Sequence, residues 1–154
     1  MSELKAKHQL LQNMHKIRVL QQERDEKILV HRRQDVENRK DTLHIKKEIV
    51  ENGIAEWERQ LSAGSFQAES LLQFQYWLGH STEDVHEAET DLEAAIDDYR
   101  VAAKTLARSI GYQNSAKELV AISACNIKKH SERKLETRFE DLTSYRHWSN
   151  ENHQ

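Results

Sequence analysis

Proline is absent from all 154 residues, and glycine occurs only four times. Tight turns draw on both, so a fold of many short elements has little to turn on. Hydrophobic residues stop at 37% and aromatic ones at 6%, which points to a thin apolar seam rather than a thick interior. Cys125 is the only cysteine, so an intrachain disulfide is excluded. No stretch approaches the ~20 apolar residues of a membrane span. The opening MSELKAKHQL also lacks the apolar run of a signal peptide. The net charge of −3 makes no overall case for nucleic acid as a partner. The phosphate-binding, dinucleotide, zinc-protease and serine-hydrolase motifs are all missing. The expectation is a cytoplasmic protein that does not insert into a membrane, is not an enzyme and takes no cofactor.

What the chain has is charge, at 32%, and a period of seven. One series runs Leu71, Leu78, Val85, Leu92, Tyr99, Leu106, Gln113, Val120, Ile127. Three residues after each member comes Phe74, then Ser81, Ala88, Ala95, Ala102, Ser109, Ala116, Ser123 and His130. Heptads sustained this long predict a coiled coil. The alternation of large with small predicts close approach of a second helix. A partner lies in the same chain: Leu29, Val36, Leu43, Val50 and Trp57 form another seven-residue series. Its companion positions are read as Arg33, Lys40, Lys47, Ile54 and Leu61.

Between the two series stands LSAGSF, residues 61–66, with Gly64 suited to end a helix and Ser62 and Ser65 suited to a turn and cap. The fold class predicted is all-α, two long helices forming an antiparallel coiled-coil hairpin. Helix one spans about 3–61, the tip 62–65 and helix two about 66–145, with a flexible tail at 146–154. A turn centred near residue 63 would set residue i against 126 − i. The eight acids of residues 83–98 would then face Arg32, Arg33, Arg39 and Lys40, and opposite charges of this kind select orientation and register. Gly79-His80-Ser81-Thr82-Glu83-Asp84 and Gly111 resemble breaks, but the heptad phase crosses both unshifted and predicts one continuous helix. Beyond Ile127 the phase shifts to Leu135, Phe139 and Leu142, which have no partner inside the chain. They offer a surface to another protein, fray, or pack on a second copy.

Nine histidines raise the question of a metal. His8 and His15 are seven apart, His80 and His86 six apart, and no pair has the i, i+4 spacing that holds zinc on a helix. No metal site is expected. Cys125 neighbours the seam and reads as a small, partly buried residue. Phe66, Phe74, Tyr76 and Trp77 cluster near the tip. Tyr76 and Trp77 fall off the seam by phase. They either cover the hairpin end or serve as an exposed anchor for a partner.

Residues 14–27, MHKIRVLQQERDEK, resemble the basic-apolar opening of the YscO family of type III secretion central-stalk proteins. The tip LSAGS followed by LLQFQYWL is similar to that of the flagellar relative, FliJ. The resemblance implies an antiparallel hairpin like the gamma-subunit coiled coil of rotary ATPases. Such a stalk links the hexameric export ATPase to the export-gate membrane protein and promotes ATPase assembly or activity. It also implies secretion chaperones as possible partners and a monomeric stalk, peripheral to the inner-membrane apparatus. Ile17, Arg18, Leu20, Arg24 and Lys27 match the family's opening and are the expected ATPase contacts. Tyr76 and Trp77 fall near the family's tip-proximal aromatic position and are the expected export-gate contacts, although His80 and Ser81 stand where the flagellar relative is apolar. The basic residues Lys128, Lys129, Arg133, Lys134 and Arg138 belong to the same end as the N-terminus in this register, which adds Lys134 and Arg138 to the ATPase candidates. Two other functions fit a rod of this kind: a helical chaperone escort for secreted substrates, and a scaffold in which two chains pair through the same heptads.

Overall fold

The computed structural model describes residues 1–64 and 67–153. The chain is all-α: helix α1 (Ser2–Ser62) and helix α2 (Ala68–Glu151) pack against each other as an antiparallel coiled-coil hairpin. The heptads that a dimerising scaffold would share between chains are thus taken up within one.

Helix α1 stops where glycine lets it. Gly64 has φ +73°, and its N–H donates to the Leu61 carbonyl at 3.2 Å while that of Ala63 donates to Arg59 at 3.0 Å. A left-handed residue just past the last turn satisfies carbonyls that the helix leaves open. Ser65 and Phe66, expected as cap and tip aromatic, lie outside the described residues.

Helix α2 runs unbroken through Gly79 and Gly111, as the phase predicted. Thr82 does not cap a new helix. Its hydroxyl turns back onto the carbonyls of Leu78, at 2.7 Å, and Gly79, at 3.0 Å, the bond a threonine makes inside a helix. The expected tail at 146–154 is corrected: the helix continues to Glu151. No glycine or proline interrupts it there, and Tyr145 with Trp148 and His147 with Glu151 interact at helical spacing.

The hairpin divides into two units, each with one segment of each helix. Unit 1 is Met1–Glu23 with Arg108–Gln154, and unit 2 is Arg24–Ala107.

In unit 2 the seam is thin. Among the described residues its buried members are Asp25, Val36, Ala88, Ala95 and Ala102, none of them bulkier than valine. The turn is centred two residues later than expected, because α1 ends at Ser62 and α2 begins only at Ala68. Arg32 pairs with Asp98 at 3.7 Å and Arg39 with Asp91 at 3.6 Å. Residue i therefore faces about 130 − i, not 126 − i. The companion series of α1 also needs correction. Arg33, Lys40, Lys47 and Leu61 are exposed, and only Ile54 is half-buried. The covered positions are instead Asp25, Arg32, Lys46 and Gly53, while Arg39 at the same spacing is exposed and reaches Asp91 on α2. Opposite the alanines there is room for long stems whose charged ends reach the flank. The small residues of α2 thus accommodate large polar ones on α1.

In unit 1 the seam is more polar still. Ser109, Ala116 and Ser123 are buried, facing half-buried Leu4, His8, Leu11, His15, Arg18 and Gln22. His15 and Gln113 meet across it at 3.2 Å.

Candidate functional site

Unit 1 carries three of the expected ATPase contacts on α1. Ile17 and Leu20 are 55% and 64% exposed, three residues apart and both off the seam. Leu10 and Met14 extend the apolar surface below them. Arg18 differs: its guanidinium lies over the Tyr112 ring, 4.8 Å from the centroid, and donates to Gln21 at 3.0 Å. It braces α1 on α2 and is half-buried. Lys134 and Arg138 stand exposed on the part of α2 that runs past the first residues of α1, together with Leu135, Phe139 and Leu142. Every residue from Glu132 to Trp148 is exposed. Unit 1 holds twelve Lys and Arg against eight Asp and Glu, a net of +4. The seam itself contains two unpaired nitrogens, Nδ1 of His8 and Nε2 of His130, which are buried with no hydrogen-bond partner among the described residues.

Unit 2 is acidic, with eleven Lys and Arg against eighteen Asp and Glu. Arg24 and Lys27 are both exposed. Arg24 lies 3.5 Å from Asp25, a carboxylate only 4% exposed, so this arginine is tied to a buried charge. Lys27 lines a shallow groove with Ile28, His31 and Arg32. A second groove, of about 210 Å³, is walled by Asp25, Ile28, Arg32, Asp98, Val101, Ala102 and Thr105. Neither is enclosed enough to exclude water from a reacting group. At the far end of α1, the Arg59 guanidinium holds the exposed Glu56 carboxyl below its ordinary range.

The aromatic pair expected at the export gate splits. Tyr76 is 73% exposed, with its ring edge-on to His80 at 4.6 Å, and is available to a partner. Trp77 is half-buried. It lies against Gly53 and stacks on Phe74 at 5.8 Å, and Phe74 stacks on Trp57 at 4.6 Å. The indole fills the gap left by a glycine in the α1 seam, so it covers the hairpin end rather than serving as a free anchor. Gly53, four residues before Trp57, is the signal that marks this. Cys125, read as partly buried, is exposed because it falls two residues past the seam position Ser123. Among the described residues no group of His, Cys, Asp and Glu could hold a metal ion, and no helix is long and apolar enough to cross a membrane. The chain matches no protein-family model, no curated protein and no solved structure.

Proposed function

We propose that this chain is a central-stalk component of a type III protein secretion apparatus, acting on the hexameric export ATPase. The observation that carries the reading is in unit 1: apolar Ile17 and Leu20 stand exposed off the seam, on a unit with net positive charge. Exposed apolar side chains among cations suit a lumen lined by acids and loops. The resemblance of residues 14–27 to the YscO opening and the antiparallel hairpin support it. Unit 2 offers exposed Tyr76 to the export gate, peripheral to the membrane.

The test is ATP hydrolysis by the purified secretion ATPase of the same cell, titrated with this protein. Leu20→Asp and Lys27→Glu are the informative variants, because both positions are exposed and off the seam. Arg18 and Arg24 brace Tyr112 and Asp25, so their loss would also disturb the fold. The expected outcome is stimulation that saturates near one hairpin per hexamer and is lost in both variants. A folded hairpin that leaves hydrolysis and hexamer formation unchanged would overturn the stalk. The escort reading would then lead, with Tyr76 and the Leu135–Phe139–Leu142 stripe as its surface.

A further inference from the structure

In an antiparallel helix pair, the residue one step before each seam residue emerges on the same side of the seam, whichever helix it belongs to. One groove bears this out: it is walled by Ile28 of α1 and by Asp98, Val101 and Thr105 of α2, which precede Leu29, Tyr99, Ala102 and Leu106. In unit 1 these positions on α1 are Leu10, Met14 and Ile17, and on α2 they are Tyr112, Leu119 and Ile122. All six are exposed, between 41% and 60%. The cations at the same positions are Lys7, Arg108 and Lys129, against one acid, Glu3. Unit 1 thus presents an apolar face two helices wide with a basic rim.

The same positions in unit 2 have the opposite charge. Exposed Ile28, Ile45, Ile49 and Val101 stand among six acids, Asp35, Glu56, Asp84, Glu87, Asp91 and Asp98, with Arg24 the one Lys or Arg. Four of those acids hold ion pairs within the chain, but Asp84 and Glu87 hold none among the described residues. They precede Val85 and Ala88, and by the register they lie across the seam from Ile45 and Ile49.

Each face has what the other lacks. We infer that the occupant of the basic-rimmed face of unit 1 is a second copy of this chain, docked through the acid-rimmed face of its unit 2. Exposed apolar side chains supply the contact area, and the opposed rims select this pairing over unit 1 on unit 1, where like charges would meet. The assembly uses surface that the seam leaves free, so the intrachain hairpin is kept. Ile17 lies on this face, so self-association and ring binding would compete for it.

Sedimentation of the chain alone, carried from low micromolar to submillimolar concentration, tests this in a Cys125→Ser background that removes the exposed thiol. The expected result is a mass that rises above that of the monomer with concentration, and less so at high salt. Lys7→Glu with Lys129→Glu gives two acidic faces, and Asp84→Lys with Glu87→Lys gives two basic ones. Each double variant alone should associate at least about tenfold more weakly. An equal mixture of the two should recover association, because each then meets an opposite face, and recovery also shows that both variants are folded. A chain that stays monomeric throughout would overturn the inference. So would association indifferent to the reversals, or a mixture that recovers nothing. The assay holds no ATPase, so failure here leaves the stalk reading standing, and absence of ATPase stimulation leaves this one standing.

Discussion

Single glycines show how differently one residue type behaves in the two helices. A Cβ on Gly53 would fall inside contact distance of the Trp77 ring carbons, whereas one on Gly79 would meet nothing within 4 Å. Alanine in place of a mid-helix glycine gains about 1 kcal/mol in either position. At Gly53 that gain is opposed by displacement of the indole from its stack on Phe74, a loss of about 2 kcal/mol for a half-buried aromatic. Gly53→Ala should therefore lower stability by about 1 kcal/mol and shift tryptophan emission to the red, while Gly79→Ala should raise stability by up to about 1 kcal/mol. Thermal melts of the two variants in parallel check the sign. Stabilisation by both would mean that Trp77 does not lean on Gly53.

At the scale of the element, α2 is legible in its sequence and α1 only half so. The small members of the α2 series, Ala88 through Ser123, are its buried residues. Alternation of large and small at strict spacing has no other ready physical source, so the pattern carries its own explanation. In α1 one series is apolar and stands out, while the other is Asp25, Arg32, Arg39 and Lys46. Long cations look the same in a sequence whether their stems cross a seam or point to water. Only the register separates them from Arg33, Lys40 and Lys47. Leu10, Met14 and Ile17 also repeat at helical spacing, and the seam beside them, Leu4, His8, Leu11, His15, Arg18 and Gln22, is so polar that the sequence does not mark which face is covered. Adjacent alanines test the α2 seam. Ala95 is 4% exposed and Ala94 is exposed, so Ala95→Leu should overpack the seam and cost about 1–3 kcal/mol, with Ala94→Leu near neutral. Equal midpoints in urea for the two variants would mean that the helices leave slack at Ala95.

For the molecule as a whole, the hairpin was predictable and its register was not. A glycine marks where α1 ends, but the sequence carries no equally clear mark for where α2 begins, and each residue added to the connection shifts every facing pair. The ion pairs Arg32–Asp98 and Arg39–Asp91 are too exposed to hold the register by themselves. The alanines opposite α1's long polar residues add a steric constraint, since a slip would bring bulky α2 residues against those stems. Cysteine pairs can read the outcome in a Cys125→Ser background. Leu43→Cys with Ala88→Cys follows the observed register, and Leu43→Cys with Glu83→Cys follows a turn centred at residue 63. The two differ by five residues on α2, about 7.5 Å along the helix, which is more than disulfide geometry tolerates. Oxidation should therefore close the first pair within one chain at a rate independent of concentration and leave the second mostly reduced. The reverse preference would move the turn back toward residue 63. Products formed only between chains would instead mean that the heptads pair intermolecularly, and the hairpin with both of its faces would have to be abandoned.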